Sequence, residues 1–275
     1  MSKPNKLLEI DEISKKTPST TQQTANQEIK LFVGRQKHLP DMYDLPSEEI
    51  GDSGLPDEFH IFQAQLLRET FQPANYPIEE IFIGTDINLY YTPNNFLWYK
   101  RPDWFVAVGT TQVYDKGLRN SYVCWQEMGF PLLAIEFLSP STQKDDLGKT
   151  LPQSNEPPTK WQVYEEILKI PFYFTFDRLS QQLTAFELKD GKYQQFSIQG
   201  DKYYFKEFGL SLGFWEGLYE NKYSLWLRWY DKEGNLILTS KELAQKEKLE
   251  KDEVLAQNER LRAKLKELGI DPDSI

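Results

Sequence analysis

The sequence predicts an α/β fold: a mixed sheet flanked by helices, a β-rich extension and a charged helical tail able to form a coiled coil. Three observations carry this reading. From Phe130 to Phe176 a strand, a helix and a strand follow one another, the pattern of a parallel pair joined by a right-handed crossover. Period-two alternation, the mark of half-buried strands, appears after Ile81 and again in several aromatic-rich runs beyond Leu183. The chain then ends in a charged run with no glycine from Leu236 to Leu268. The domain organisation expected is a flexible tail over 1–30, a main domain over 31–238 and the helical tail over 239–275.

Taken in order, residues 1–30 are rich in Ser, Thr, Gln, Asn and Lys and lack apolar periodicity, so they read as a tail. Leu31 to Pro56 is broken by proline and glycine and reads as an irregular arm. In Asp57–Phe71 the apolar residues fall at helical spacing behind Asp57, a suitable N-cap, and Glu69 on this helix is either a surface residue or a carboxylate lent to a site. Ile81 to Tyr91 alternates and predicts one strand; Trp104 to Val108 predicts a second, led in by Arg101-Pro102-Asp103. The third strand spans Phe130 to Leu138. After a polar excursion, Thr159 can cap a helix over Lys160–Lys169, which Ile170-Pro171 ends before a fourth strand at Phe172–Phe176.

Asp190-Gly191 between alternating runs predicts a hairpin, and a second is expected over Leu225–Leu238, turning at Glu233-Gly234-Asn235; this aromatic part is expected to extend the sheet. Trp215, Trp226 and Trp229 read as core residues rather than a base-stacking platform. In the tail, Val254, Leu261 and Leu268 take d positions and Asn258 and Leu265 a positions of a heptad seam, which suits a homodimer or another helical partner.

Composition narrows the function. No stretch is long and apolar enough to span a membrane and the N-terminus has no secretory apolar segment, so a cytoplasmic address is expected. One cysteine, Cys124, forms no internal disulfide and reads as a small hydrophobe; with only His38 and His60, no zinc set of ordinary spacing can be built. A net charge of −10 disfavours a protein that coats nucleic acid, whose phosphates attract a basic surface. It does not exclude an enzyme.

The candidate chemistry sits around Glu136. Leu132–Leu138 is an apolar strand interrupted only by this carboxylate, and a buried charge must pair, neutralise or bind a metal. Asp103 stands at the mouth of the preceding strand and Lys160 at the start of the following helix. Two carboxylates from neighbouring strands suit a hard divalent cation, which prefers oxygen ligands and leaves room for phosphate oxygens and water. An ammonium nearby can orient water and stabilise charge on phosphorus. The set points to metal-dependent phosphodiester hydrolysis, and Asp103 and Glu136 are expected close enough to share one cation.

The sequence also resembles a known family. Gly84-Thr85-Asp86, Arg101-Pro102-Asp103, Trp125-Gln126-Glu127, Glu136-Phe137-Leu138-Ser139-Pro140-Ser141-Thr142, Asp146-Leu147-Gly148, Lys160 with Tyr164, and Pro171-Phe172-Tyr173 with Asp177 are similar to motifs of the Uma2-like proteins. That family is abundant in cyanobacteria and placed in the PD-(D/E)xK nuclease superfamily. The resemblance implies a restriction-endonuclease-like core, DNA as substrate, and Mg²⁺, or Mn²⁺ in its place. It implies Asp103, Glu136 and Phe137 at the metal and Asp103, Glu136 and Lys160 as the catalytic set. The superfamily lysine would fall two residues after Glu136, where Leu138 stands; Lys160 fits a lysine moved to the next helix, with Lys149 as its rival. Lys160 is preferred because it shares a helix face with Tyr164, a further partner for the site. A lysine at a helix start is expected to contribute little to the core. The alternative is a catalytically silent nuclease fold serving as a nucleic-acid-binding or protein-interaction module.

Overall fold

The computed structural model describes residues 57–114, 117–127, 129–151, 156–269 and 271–272. The tail of 1–30 and the arm of 31–56 lie outside them. Helix α1 (Glu58–Thr70) starts at Asp57, whose carboxylate accepts the His60 N–H at 3.2 Å. It buries Phe59, Ala64, Leu66 and Leu67.

The alternating run after Ile81 makes two strands where the pattern predicts one. These are β1 (Ile81–Gly84) and β2 (Asn88–Tyr90), and they belong to different sheets. The break is at Asp86, held at φ 47° in the left-handed region that costs a non-glycine residue. Arg101 holds it there: its Nη2 donates to the Asp86 carboxylate at 2.8 Å and to the Asp86 carbonyl at 3.0 Å. Alternation continues across such a turn, so periodicity cannot see it.

Strand β2 pairs with β3 (Tyr99–Lys100) and, in parallel, with β7 (Ser121–Val123). The chain runs on through β4 (Trp104–Val108) and a small hairpin, β5 (Val113–Tyr114) and β6 (Gly117–Leu118), to β8 (Pro131–Phe137). A short helix α2 (Gln143–Asp146) precedes α3 (Lys160–Gln162), which opens with a capping box in which Thr159 and Gln162 satisfy each other's backbone N–H groups. Helix α3 passes directly into a π turn, Val163–Ile167, where the Leu168 N–H reaches back five residues to the Val163 carbonyl. Then follow β9 (Phe172–Asp177), β10 (Gln182–Lys189) and β11 (Lys192–Phe196).

The main sheet has the order β1-β4-β8-β9-β10-β11. Only β8 and β9 run parallel, as the strand-helix-strand pattern requires, with Glu136 opposite Thr175. The β10–β11 hairpin turns where predicted, Asp190 and Gly191 both at positive φ (52° and 78°) as a two-residue primed turn demands.

The remaining strands, β12 (Lys202–Phe205), β13 (Leu210–Tyr219) and β14 (Lys222–Tyr230), correct two expectations. They form a separate sheet rather than extending the first. The second hairpin is β13–β14, paired from Ser211↔Tyr230 to Tyr219↔Lys222 and turning at Glu220-Asn221. The turn expected at Glu233-Gly234-Asn235 carries only a single bridge, Tyr230↔Leu236. Both Glu220 and Asn221 are left-handed (φ 44° and 63°), so this pair matches the strand twist despite lacking the glycine that signals such turns.

This second sheet and α1 share one apolar core with the first sheet. Trp229 packs on Trp104 and Phe205, and Phe205 on Phe174. The exposed backbone of edge strand β14 is answered by Gln63, whose side chain donates to the Leu227 carbonyl and accepts its N–H at 2.9 and 2.8 Å. Trp226 and Trp229 are fully buried and Trp215 lies beneath the Arg228 guanidinium, so the three serve packing.

Helix α4 (Ser240–Glu267) begins with a second capping box, Thr239 with Glu242, and ends before Gly269 at φ 74°. Glu242 also receives both Nη atoms of Arg228, at 3.1 and 2.9 Å, and Arg228 is completely buried. Beyond this first turn α4 buries none of its residues; Val254, Leu261 and Leu268 of the heptad seam are exposed. Among the described residues no helix is long and apolar enough to cross a membrane.

Candidate functional site

Strands β4 and β8 are neighbours, so Asp103, just before β4, stands beside the end of β8, where Glu136 lies. They are joined reciprocally. The Asp103 N–H donates to Glu136 Oε2 at 3.2 Å, and the Phe137 N–H donates to Asp103 Oδ2 at 2.6 Å. The turn from α3 into the π segment then supplies the rest. Lys160 Nζ lies 3.1 Å from Glu136 Oε2, and the Tyr164 hydroxyl donates to Glu136 Oε1 at 2.7 Å. Glu136 can therefore be fully buried because each of its oxygens has a donor.

The structure thus brings Asp103, Glu136, Lys160 and Tyr164 together. Lys149 is exposed and enters no ion pair among the described residues. Glu69 faces solvent, accepting from Gln65. Cys124 is buried in an apolar cluster and burial pushes its thiol up to about 12, so it is an inert packing residue.

Two residues to which the sequence reading gave no role complete the arrangement. Asp146, at the end of α2 and 1 % exposed, places Oδ1 2.8 Å from Lys160 Nζ. Gly148 makes that approach possible: at φ 67° it lies under the Trp161 ring, where an added Cβ would sit 2.6 Å from the indole. The second is His60. Its Nε2 donates to the Phe137 carbonyl (2.9 Å) and its Nδ1 faces the Asp57 carboxylate (2.8 Å). Both nitrogens face acceptors, which favours the doubly protonated ring. Burial works against that charge, but the hydrogen bond to Asp57 and the charges of Asp103 and Asp57 outweigh it and raise the His60 pKa. Sequence offered only a faint signal, a histidine three residues after a helix-capping aspartate.

The electrostatics are those of carboxylates short of cations. Burial, joined by the Asp103 and Asp146 charges, pushes Glu136 well above the ordinary carboxylate range despite Lys160. Burial likewise raises Asp103 against the opposing charges of Lys160 and His60. Lys160 moves the other way from a lone buried lysine. Burial opposes its charge, yet Asp146, Glu136 and Asp103 together hold it far above its usual value.

No three His, Cys, Asp or Glu side chains among the described residues converge as a metal cage. A hard divalent cation needs fewer protein groups than that. Two adjoining carboxylates with suppressed ionisation are oxygen groups of the kind such a cation takes, while the neighbouring Phe137 carbonyl already accepts from His60 Nε2. A cleft of about 360 Å³ lined by His60, Gln65, Arg68, Thr85, Asp86 and Asp103 reaches the Asp103 side of this cluster.

A pH dependence follows. The unfolded chain gives up the Glu136 proton at lower pH than the folded protein does, so this group's contribution to stability falls as pH rises from the ordinary carboxylate range upward. In EDTA, the thermal midpoint of the wild type is expected to fall relative to that of Glu136→Gln as pH rises from mildly acid to neutral. Parallel curves would show Glu136 ionising normally.

A mixed sheet carrying two carboxylates at neighbouring strand ends, with a lysine on the adjoining helix, defines an α/β protein of the restriction-endonuclease-like class. Residues 37–215 match the family model Uma2, described as "Putative restriction endonuclease", and the chain belongs to that family. No curated protein matches the sequence. Proteins of this class generally use divalent metals.

Proposed function

We propose that the protein is a Mg²⁺-dependent DNA endonuclease, with Mn²⁺ able to replace Mg²⁺. The observation that carries this reading is Lys160 Nζ 3.1 Å from Glu136 Oε2, with Asp103 tied to the same carboxylate through its backbone. Asp103, Glu136 and the Phe137 carbonyl would hold the cation. When bound, the cation would polarise a phosphoryl oxygen and make a water molecule more acidic.

Lys160, raised far above its usual pKa, stays charged at neutral pH and so cannot take a proton from water. Its part is to donate hydrogen bonds to the attacking water and to the phosphate oxygens, where negative charge grows in the transition state. Tyr164 fixes Glu136 Oε1, so the oxygen that would turn toward the cation is Oε2, which accepts from the Asp103 N–H and faces Lys160. The test is a cleavage assay of the full chain on single-stranded, linear duplex and supercoiled DNA with Mg²⁺, Mn²⁺ or EDTA. Cleavage that needs either metal and stops in EDTA is expected. Binding to any of these DNAs without cleavage would make the protein a binding module.

A further inference from the structure

We propose that Asp146 is the holding partner of Lys160, a positioning residue that keeps the ammonium at the site when Glu136 turns to a divalent cation. Given the metal-holding role of Glu136 above, one ammonium is shared between two buried carboxylates: Lys160 Nζ is 3.1 Å from Glu136 Oε2 and 2.8 Å from Asp146 Oδ1. The Asp146 oxygens accept no aligned hydrogen bond, so the charges that compensate them are Lys160, in contact, and Lys100, which feels the same carboxylate. A buried ion pair without further hydrogen bonds adds little net stability, because desolvation offsets the attraction, although removing one partner is costly.

Its position is nevertheless built. The Asp146 backbone carbonyl accepts the Tyr173 hydroxyl at 2.8 Å, the Lys160 N–H donates to the Asp145 carboxylate at 3.1 Å, and Gly148 lets α2 close onto Trp161. Helices α2 and α3 are locked together at this point.

The consequence is a division of labour. With only Glu136 to pair with, Lys160 would compete with a divalent cation for the carboxylate the cation needs. With Asp146 already in contact, the ammonium has a second partner, and Glu136 is released to the cation without leaving Lys160 unpaired or displaced. Residues that orient a metal's own ligands typically change affinity by about 10–100-fold when removed.

The test is isothermal titration of Mn²⁺ into the DNA-free full chain. Asp146→Asn is expected to weaken binding about tenfold, and Lys160→Met added to it should restore wild-type affinity, because the competitor is gone. Asp146→Glu, which keeps the buried charge, should stay close to wild type. In EDTA, a double-mutant cycle of Asp146→Asn with Lys160→Met, read by thermal unfolding, should show the two side chains coupled. Unchanged Mn²⁺ affinity in Asp146→Asn would overturn the inference while leaving the metal-holding reading intact. Failure of Lys160→Met to restore affinity, or equal losses in the Asn and Glu variants, would mark Asp146 as scaffold and overturn it too. A wild type that takes up no Mn²⁺ would overturn the metal-holding reading itself, and this inference with it.

Discussion

Glu136→Gln is expected to abolish divalent-cation binding and to lower cleavage by at least about 10³-fold, the rate equivalent of the several kcal/mol that a Lewis acid supplies to such a reaction. The substitution keeps shape: its one amide oxygen can accept from Lys160 and the Asp103 N–H, and its NH2 can donate to the Tyr164 hydroxyl oxygen, so packing is not at stake. It also removes a buried charge whose ionisation the fold suppresses. In EDTA at neutral pH the variant should therefore be no less stable than wild type. Single-turnover cleavage and metal titration, run together, check this. A variant that cleaves at the wild-type rate would remove Glu136 from the reaction.

The second large effect is expected at Lys160, and it has two parts. Lys160→Ala should lower cleavage by about 10²–10³-fold, the loss seen when one preorganised donor to developing charge is removed. It should also destabilise the metal-free protein by roughly 3 kcal/mol, because Glu136 and Asp146 are then left buried without their shared cation. The sequence suggested otherwise, since a lysine at a helix start ordinarily faces water. Here only 14 % of its side chain does. Divalent metal should recover part of the lost stability, whereas Lys149→Ala, at an exposed position, should change stability by no more than about 0.5 kcal/mol and leave the rate alone. Thermal unfolding with and without Mn²⁺, beside cleavage rates, separates these outcomes. Unaltered cleavage by Lys160→Ala would rule out the lysine moved to this helix.

What could be read in advance follows a physical pattern. Glu136 was legible because a charge in an apolar strand contradicts its surroundings, and Lys160 with Tyr164 because helical phase puts both on one face. The parallel β8–β9 pair was legible from chain order. Asp146 was visible only as part of the Asp146-Leu147-Gly148 motif; its pairing with Lys160 was not, since an acid in a polar excursion looks solvated and its partner lies on another element. His60 was hidden because its partner is the Phe137 carbonyl, and backbone atoms leave no trace in a sequence. The break at Asp86 depends on an Arg101 clamp fifteen residues away. The choice between two sheets for the aromatic strands depends on which faces find each other, which alternation alone does not record.

The bond between Arg228 and Glu242 bears on how such a chain can be inherited in pieces. The family match ends at residue 215, within β13, while the strand that completes that hairpin and the carboxylate that neutralises its buried arginine both come later. A joint at the end of the matched segment would cut through β13, and one at the start of α4 would leave Arg228 without its counter-charge. Past Glu242 the helix buries none of its residues, so a tail exchanged there would keep both the hairpin and the neutralised arginine.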